Sequence, residues 1–242
     1  KRLELLARKK SIKYRWLSKA EIEVIEPNVF AEYGLHIYDS GVVDSHGLMS
    51  SLYQDLLKND VDIVFRTEVC DISKIQNGYE IQFINPDTSK DKIHSDIIIN
   101  CAGLYSNQIS MMAGIIDKNY ELHFWRGDYF WLKKKKDFIK SLIYPIPEKN
   151  LSGLGIHTTV DISGRIKIGP DSEYIGQHSK FDFNVNMEKK KHFFDVVKEY
   201  IKNVSISDLE PDYVGVRPKL QSKSMGFKDF IILEEHKRGY PG

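Results

Sequence analysis

One short apolar run constrains the fold more than any other part of this sequence. Residues 95–100 read SDIIIN, and Cys101-Ala102-Gly103 follows them directly. Isoleucine-rich runs without alternating polar residues are typical of parallel strands that are buried on both faces. A predicted helix over 106–113 comes next and ends at Gly114. The sequence therefore predicts a strand–turn–helix unit of an α/β sheet, where a glycine lets the backbone approach a ligand closely.

The residues before and after this unit predict two kinds of architecture. Up to about residue 118, strands are predicted at 61–65, 67–75 and 79–84, with Asn77-Gly78 as a hairpin turn. Ser18 and Glu21 have capping-box spacing, and leucines at 48, 52 and 56 recur on one helix face. After residue 118, predicted strands at 122–132, 141–146, 154–160, 165–169 and 204–216 flank a helix over 187–203, and a last strand is predicted at 230–233. The predicted fold class is therefore α/β plus α+β.

Composition excludes several classes of protein. The chain has 242 residues, 41% of them hydrophobic and 29% charged, as in soluble globular proteins. A net charge of +1 argues against a nucleic-acid partner, and no apolar run is long enough to span a membrane. Two cysteines without ligand spacing predict neither a disulfide framework nor a metal site, and they favour a reducing, cytoplasmic location. The run Lys133–Lys136 is interpreted as a solvated loop, with peripheral contact to an anionic inner membrane as the alternative.

Two arginines are candidates for binding an anion. Arg126 lies among aromatic residues in FWRGDYF, and Arg217 lies between Gly215 and Pro218 in YVGVRPKL. A guanidinium binds a carboxylate through two parallel hydrogen bonds, so either side chain suits an acidic substrate. The alternatives are structural: Arg126 packs its stem on Trp125, and Arg217 is a surface residue in a turn.

Two further side chains are candidates for proton transfer. Tyr144 and His157 are the titratable residues of interest in the segment over 142–159. A histidine on a strand is more often a hydrogen-bonded structural residue. The functional alternative for His157 is the base that removes a hydroxyl proton while hydride leaves carbon.

Eight stretches of the chain together resemble one family. In order they are IYDSGVVDSHGLM, DIIINCAGLYS, WRGDYF, LIYPIP, LGIHTTVD, IGPDSEYI, PDYVGVRPKLQ and DFIILEE. Their order and spacing resemble the L-2-hydroxyglutarate dehydrogenase/oxidase branch of the FAD-dependent superfamily that also contains D-amino-acid oxidase and glycine oxidase. The resemblance covers about residues 20–242.

The resemblance implies a partial, Rossmann-like FAD-binding domain over 1–118, an antiparallel-sheet substrate domain over 119–220, and a return to the first domain over 221–242. It places FAD contacts at Val69, Cys101, Ala102, Gly103 and Leu104. Family members also carry an N-terminal G-x-G-x-x-G unit and a C-terminal glycine-rich flavin contact, and neither motif occurs in this sequence. An internal fragment that is inactive by itself is therefore expected.

The resemblance also implies the reaction. Arg217 corresponds to the arginine that binds the substrate carboxylate in the amino-acid oxidases. The leading hypothesis is oxidation of a 2-hydroxy acid, with L-2-hydroxyglutarate giving 2-oxoglutarate, by hydride transfer to flavin N5. Arg126 would bind a second carboxylate, and oxygen or a quinone would accept the electrons. The alternatives are an amine or amino-acid oxidase, which needs one carboxylate anchor, and a non-catalytic remnant. Pro218, which some 2-hydroxyglutarate enzymes lack, favours less-studied relatives.

Overall fold

The computed structural model describes residues 2–146, 155–177 and 180–241. Its α-helices are α1 (Arg2–Lys9), α2 (Lys19–Ile25), α3 (Ser45–Lys58), α4 (Ser106–Met112) and α5 (Lys190–Val197). Its strands are β1 (Tyr14–Ser18), β2 (Tyr33–Ile37), β3 (Glu68–Ile75), β4 (Gly78–Ile84), β5 (Lys90–Ser95), β6 (His123–Leu132), β7 (Thr158–Val160), β8 (Ile166–Ile168), β9 (Glu173–Gly176) and β10 (Leu209–Lys219).

The chain divides into two compact units. Unit 1 contains residues 1–50, 126–173 and 181–216, and unit 2 contains residues 51–125, 174–180 and 217–242. The first 50 residues therefore group with the antiparallel sheet and not with the α/β segment that follows them. The predicted domain boundaries after residues 118 and 220 stay a prediction.

In the main sheet, which unit 1 largely contains, β6 pairs antiparallel with β8, and β8 pairs antiparallel with β7. Its strand order is β10–β6–β8–β7, with β9 also paired to β6. Phe130 of β6 lies opposite Ile168 of β8, and Leu132 lies opposite Ile166. Side chains alternate between the two faces of a strand, so these four residues share one face of the sheet. All four are fully or almost fully buried.

Helix α5 covers this buried face. Phe193 and Val197 are fully buried, and the Phe193 ring centroid lies 4.8 Å from that of Phe130. Complete burial of one such side chain contributes about 1.5–3 kcal/mol, so this contact is a main source of stability in unit 1. The predicted apolar helix face is confirmed, although α5 is shorter than the predicted 187–203.

The beginning of unit 1 follows its local sequence signals. The Glu21 backbone N–H donates to Ser18 Oγ, and the Ser18 backbone N–H donates to the Glu21 carboxylate at 2.8 Å. This reciprocal pair confirms the predicted capping box at the start of α2. Strands β1 and β2 pair antiparallel around that helix.

Unit 2 contains a three-stranded antiparallel sheet in the order β3–β4–β5. The turn of the hairpin between β3 and β4 is at Gln76-Asn77, one residue before the predicted Asn77-Gly78, and Gly78 begins β4 with φ +95°, which favours glycine. Strand β5 was not predicted, because its sequence KDKIHS is mostly charged and exposed. Helix α4 begins at Ser106, as the sequence predicts.

Three strand predictions in unit 2 are wrong. Residues 61–65, 96–100 and 230–233 form no strand, although all three are rich in β-branched or aromatic side chains. Ile97, Ile99 and Ile232 are 59%, 81% and 92% exposed. Buried strands of this type need a neighbour on each side. Within the described residues no strand pairs with these three segments, so their apolar side chains stay in contact with water.

Smaller differences concern the antiparallel region. The predicted strand over 141–146 is reduced to a single bridge between Ile143 and Thr158, and β9 was not predicted. Residue 154 of the predicted strand 154–160 lies outside the described residues. The mixture of helices and antiparallel sheet agrees with the predicted fold class. In the part of the chain that the structure describes, no helix is long and apolar enough to cross a membrane.

Candidate functional site

Three of the five predicted cofactor residues lie together in unit 2. Val69, Cys101 and Ala102 line one cavity of about 260 Å³, whose other lining residues are mainly isoleucines. Gly103 and Leu104 follow directly and begin a 3-10 turn that leads into α4. The structure thus brings the end of the apolar run beside β3, and the role of these residues as FAD contacts stays a prediction.

Asn100 fixes the turn that carries these residues. Its amide Nδ2 donates to the Ser106 carbonyl at 2.7 Å and to Ser110 Oγ at 3.1 Å. Its Oδ1 accepts from the backbone N–H of Ala102 at 3.2 Å. One side chain therefore ties the turn to the first residues of α4. Asn100 was not among the site residues predicted from the sequence, although asparagine is a frequent turn-forming residue.

The backbone at Gly103 is open to a ligand. Its φ is +57°, a conformation that L-residues rarely adopt, and a Cβ built there would meet no atom within 4 Å. A neighbouring cleft of about 340 Å³ is lined by residues that include Asn100, Cys101 and Ser106. Its wall continues with apolar side chains from 231–233. These observations fit a large ligand that contacts backbone atoms at 101–103 and apolar surface beside them.

Arg126 of unit 1 already holds a carboxylate of its own chain. Its Nε and NH2 groups contact the two carboxylate oxygens of Asp128 at 3.2 and 2.9 Å. The same NH2 group donates to the Asn184 carbonyl. Asp128 is fully buried, and Lys189 Nζ contacts its Oδ2 at 2.6 Å. The role of Arg126 in binding a substrate carboxylate stays a prediction, whereas its contact with Asp128 is present in the structure.

The charges in this network stabilise one another. Burial alone would raise the pKa of Asp128, but hydrogen bonds from Arg126 and Lys189 outweigh burial and hold that pKa below its usual value. Burial would lower the pKa of Lys189, but contacts with Asp128, Asp171 and Glu173 outweigh it and raise that pKa. Removing one partner would leave a buried charge without compensation, which is strongly destabilising.

Tyr144 and His157, both in unit 1, are brought into contact. Their ring centroids lie 4.4 Å apart and the rings are tilted by 21°, which is a stacked arrangement. His157 Nδ1 lies 2.8 Å from the Gly155 carbonyl oxygen. Since a carbonyl can only accept, Nδ1 carries a proton, and in a neutral imidazole with this tautomer the lone pair lies on Nε2. This geometry is compatible with a base, and the assignment of both residues to catalysis stays a prediction.

Arg217 lies in unit 2 near the end of strand β10, and its side chain is exposed. Among the described residues it makes no salt bridge. Two residues further on, the Lys219 ammonium lies 4.5 Å from the ring centroid of Trp125. Burial and the charge of Arg217 lower the pKa of Lys219. The contact between Lys219 and Trp125 was not predicted from the sequence, because 94 positions separate the two residues. The available signal was that Arg217 and Lys219 are two residues apart on a strand, which places them on the same face.

Two curated proteins are similar to most of this chain. The chain is 30% identical over 268 residues to the mitochondrial L-2-hydroxyglutarate dehydrogenase of Arabidopsis thaliana, covering 94% of this chain and 54% of that protein. It is 27% identical over 222 residues to a glycerol 3-phosphate dehydrogenase of Caloramator mitchellensis, covering 90% of this chain and 43% of that protein. The chain therefore spans about half the length of these relatives.

A solved structure has the same fold. The dithionite-reduced L-alpha-glycerophosphate oxidase of Mycoplasma pneumoniae, with FAD bound, matches with a TM-score of 0.76 and 23% identity. The match covers 90% of this chain and 57% of that one, and it confirms the predicted fold class. The family model described as FAD dependent oxidoreductase matches residues 1–240. Since this match includes nearly every residue, the chain belongs to the family of FAD dependent oxidoreductases.

Proposed function

We propose that the protein oxidises a 2-hydroxy acid, with L-2-hydroxyglutarate as substrate and 2-oxoglutarate as product. The observation that carries this proposal is Arg217, an exposed guanidinium that makes no salt bridge within the described residues. Arg126, in contrast, is engaged by Asp128. A guanidinium that is not neutralised by its own chain is suited to bind the carboxylate of a substrate. The L-2-hydroxyglutarate dehydrogenase from Arabidopsis supports this choice of acid.

The residues around Gly103 suit the cofactor of the family. FAD, when bound, supplies the flavin ring that accepts the hydride from C2 of the substrate. Val69, Cys101 and Ala102 would contact it along the cavity that they line, and the open backbone at Gly103 permits close approach. Asn100 would keep this turn in place through its three hydrogen bonds.

Oxidation of an alcohol also requires removal of the hydroxyl proton. His157 is the proposed acceptor, because the Gly155 carbonyl holds the proton on Nδ1 and so directs the lone pair to Nε2. The stacked ring of Tyr144 keeps the imidazole in this orientation. The electron acceptor after the flavin, which is oxygen or a quinone, stays a prediction.

A peripheral membrane contact through the lysine run 133–136 also stays a prediction. Lys134 of this run forms a salt bridge with Asp208 at 2.8 Å.

A second candidate substrate is glycerol 3-phosphate, which also carries a secondary hydroxyl beside an anionic group. Two cations side by side, Arg217 and Lys219, suit a phosphate as well as they suit carboxylates. The relative from Caloramator mitchellensis supports this candidate. An amine or amino-acid oxidase, the other enzyme alternative, has no need of a second cation.

Anaerobic flavin reduction tests the proposal directly. The FAD-loaded protein is mixed without oxygen with L-2-hydroxyglutarate, D-2-hydroxyglutarate, glycerol 3-phosphate or glycine, and the flavin absorbance is followed. We expect loss of the oxidised-flavin absorbance with L-2-hydroxyglutarate and one equivalent of 2-oxoglutarate as product. Reduction by glycerol 3-phosphate alone would move the assignment to the second candidate. Reduction by glycine alone would favour the amine oxidase, and no reduction by any of them would favour the non-catalytic alternative.

A further inference from the structure

A buried pair of hydroxyl groups lies directly behind His157 in unit 1. Thr158 Oγ1 and the Tyr200 hydroxyl oxygen are 2.9 Å apart, and Thr158 is fully buried. Neighbouring side chains of an extended segment point to opposite faces, so Ile156 and Thr158 share one face and His157 has the other. Ile156 belongs to the buried core cluster, which identifies the face of Thr158 as the core face. The hydroxyl pair therefore lies on the core side of the segment that carries His157.

Tyr200 is held firmly just after the end of α5. Its backbone N–H donates to the Val197 carbonyl at 3.1 Å, and its own carbonyl accepts from the Phe30 N–H at 2.8 Å. The side chain is 8% exposed, and burial raises the pKa of Tyr200 to about 12. The hydroxyl is therefore neutral at physiological pH, and its hydrogen bond with Thr158 is not lost by titration.

The orientation of His157 depends on the pairing of a very short strand. Strand β7 has three residues, and so has β8, with which it pairs. Thr158 lies opposite Ile168, and on its other side it exchanges two backbone hydrogen bonds with Ile143, of 2.8 and 2.9 Å. This bridge brings Tyr144 opposite His157, where their rings stack. A displacement of β7 by one residue would turn every side chain of the segment to the other face.

The hydroxyl pair penalises that displacement. In the displaced register His157 would point into the apolar core, and Thr158 would leave it. The Tyr200 hydroxyl would then be buried without a partner, which costs free energy. Valine and phenylalanine would fill the same space without this penalty, because their side chains have no polar atom. A buried polar contact can thus select one register, as a single buried asparagine does in coiled coils.

We propose that Tyr200 is a positioning residue, which fixes the register of β7 through Thr158 and so keeps the His157 ring on the face where it stacks with Tyr144. The inference rests on the proposed function, in which His157 accepts the hydroxyl proton of the substrate. Tyr200 acts through Thr158 and His157 and takes up no proton itself.

Nitrogen-15 NMR of the imidazole rings tests this role without turnover. The chain has eight histidines, and the variant His157→Gln identifies the signals of His157. In wild type we expect the proton on Nδ1, because of the Gly155 contact. In Tyr200→Phe the unpaired Thr158 hydroxyl favours the displaced register, so a second set of His157 signals should appear. The double variant Thr158→Val/Tyr200→Phe removes the selection between registers and should also show two sets.

Two further variants serve as controls for the spectra. Thr158→Ser keeps the hydroxyl group and should keep the wild-type signals of His157. Tyr14→Phe removes a hydroxyl of the same unit, which contacts Glu4 at 3.1 Å, and should leave His157 unchanged. A change of the His157 signals in Tyr14→Phe as large as in Tyr200→Phe would remove any specific role of Tyr200.

Anaerobic reduction of the FAD-loaded protein by L-2-hydroxyglutarate separates positioning from stability. In Tyr200→Phe the limiting rate of flavin reduction should fall about 10- to 100-fold, as for a displaced base, while the dissociation constant of the substrate stays within about twofold. The double variant should unfold at the same urea concentration as wild type, since both partners are replaced by apolar groups of similar shape. Its limiting rate should nevertheless stay about tenfold low, because the register is still not selected.

Recovery of both the stability and the limiting rate in the double variant would overturn the positioning role and leave a structural hydrogen bond. A single, wild-type set of His157 signals in Tyr200→Phe would overturn it as well. The NMR result does not depend on the substrate. If the His157 signals change as expected but L-2-hydroxyglutarate does not reduce the wild-type flavin, Tyr200 keeps its positioning role and the proposed substrate is refuted.

Discussion

The two units treat similar β-branched and aromatic sequences in opposite ways. In unit 1, Phe130, Ile166 and Ile168 lie on paired strands and are buried under α5. In unit 2, Ile99 and Ile232 belong to equally apolar segments, but they are 81% and 92% exposed. An apolar pattern therefore specifies which residues need covering, whereas burial depends on whether a partner strand is present.

The same contrast holds for charged side chains. Unit 1 encloses Asp128 and neutralises it with Arg126 and Lys189, so its charges are used in holding the fold together. Unit 2 leaves Arg217 exposed and without a salt bridge among the described residues, which supports its proposed role as the anchor of a substrate anion. A buried charge that is neutralised by its own chain holds the fold together, whereas an exposed guanidinium without a salt bridge can bind a ligand, and variants of the two units can separate these roles.

The largest effect is expected for Lys189→Met in unit 1. This change leaves Asp128 buried with only Arg126 as its cation, and loss of one partner of a buried ion pair costs about 3–5 kcal/mol. The free energy of unfolding, measured by urea denaturation, should fall by this amount. The control is Lys191→Met, which removes a largely exposed pair with Asp195 and should cost about 0–1 kcal/mol. Equal losses in the two variants would contradict the structural role of the network.

The pH dependence of stability follows from the same groups. A carboxyl with a lowered pKa stabilises the fold above its unfolded-state pKa of about 3.9, and this stability is lost as pH falls through the lower folded value. A lysine with a raised pKa stabilises the fold below about 10.4, and its contribution is lost as pH rises further. Asp128 and Lys189 should therefore stabilise unit 1 across the range between these limits, and Lys189→Met should reduce the loss at both ends.

The next effect concerns catalysis and not stability. Arg217→Lys keeps the charge but loses the planar fork, and a bidentate contact in a desolvated site is worth about 2–4 kcal/mol, so kcat/KM should fall about 30- to 1000-fold. Bound flavin and the unfolding free energy should remain as in wild type. Arg126→Lys is the matched variant, and it should lose stability because Asp128 depends on that guanidinium. If Arg126→Lys instead loses discrimination between 2-hydroxyglutarate and lactate, the sequence-based role of Arg126 is restored.

A smaller effect is expected at Gly103 in unit 2. Its φ of +57° costs an L-residue about 1–2 kcal/mol, whereas the space around it is open. Gly103→Ala should therefore destabilise unit 2 by that amount through the backbone alone. Gly226→Ala is the control, because a Cβ at Gly226 also meets open space and no positive φ is involved. The thermal midpoint of each variant measures the difference, and identical midpoints would show that Gly103 does not keep this conformation in solution.

Most of the secondary-structure predictions that the structure confirms were based on sequence signals within a few residues. The capping box at Ser18, the hairpin before Gly78 and the start of α4 at Ser106 each depend on neighbouring residues. Strand β5 escaped prediction because it is an exposed, charged edge that is defined only by its pairing with β4. The strand over 95–100 was predicted from its apolar sequence, but such a strand forms only beside partner strands. Long-range pairing was in each case the missing information.

The candidate site divides in the same way. Val69, Cys101 and Ala102 were placed by resemblance, and the structure brings them into one cavity. The pairing of Arg126 with Asp128 could have been found, because residues two apart on a strand share a face. The contact of Lys219 with Trp125 could not, because it depends on which strands are neighbours.

The smallest effect is expected where the two units differ most, at the exposed isoleucines of unit 2. Ile99→Ser should change the unfolding free energy of this chain by no more than about 0.5 kcal/mol, as for other surface substitutions. Ile72 of β3 is the internal comparison, since it is 5% exposed in the same unit. Ile72→Val removes one buried methyl group and should cost about 0.5–1.5 kcal/mol. A polar change at Ile99 should thus lower the unfolding free energy less than a conservative change at Ile72.

Denaturation of both variants under identical conditions decides whether the contrast between the units is real. A loss above about 2 kcal/mol for Ile99→Ser would be typical of a buried position. The apolar run would then be covered in solution, and exposure would no longer separate unit 2 from unit 1. An unfolding free energy of Ile99→Ser equal to that of wild type would instead support an apolar run that has no partner strand. Hydrogen exchange gives the same answer residue by residue, because unpaired backbone amides at 97–100 should exchange much faster than those of β4.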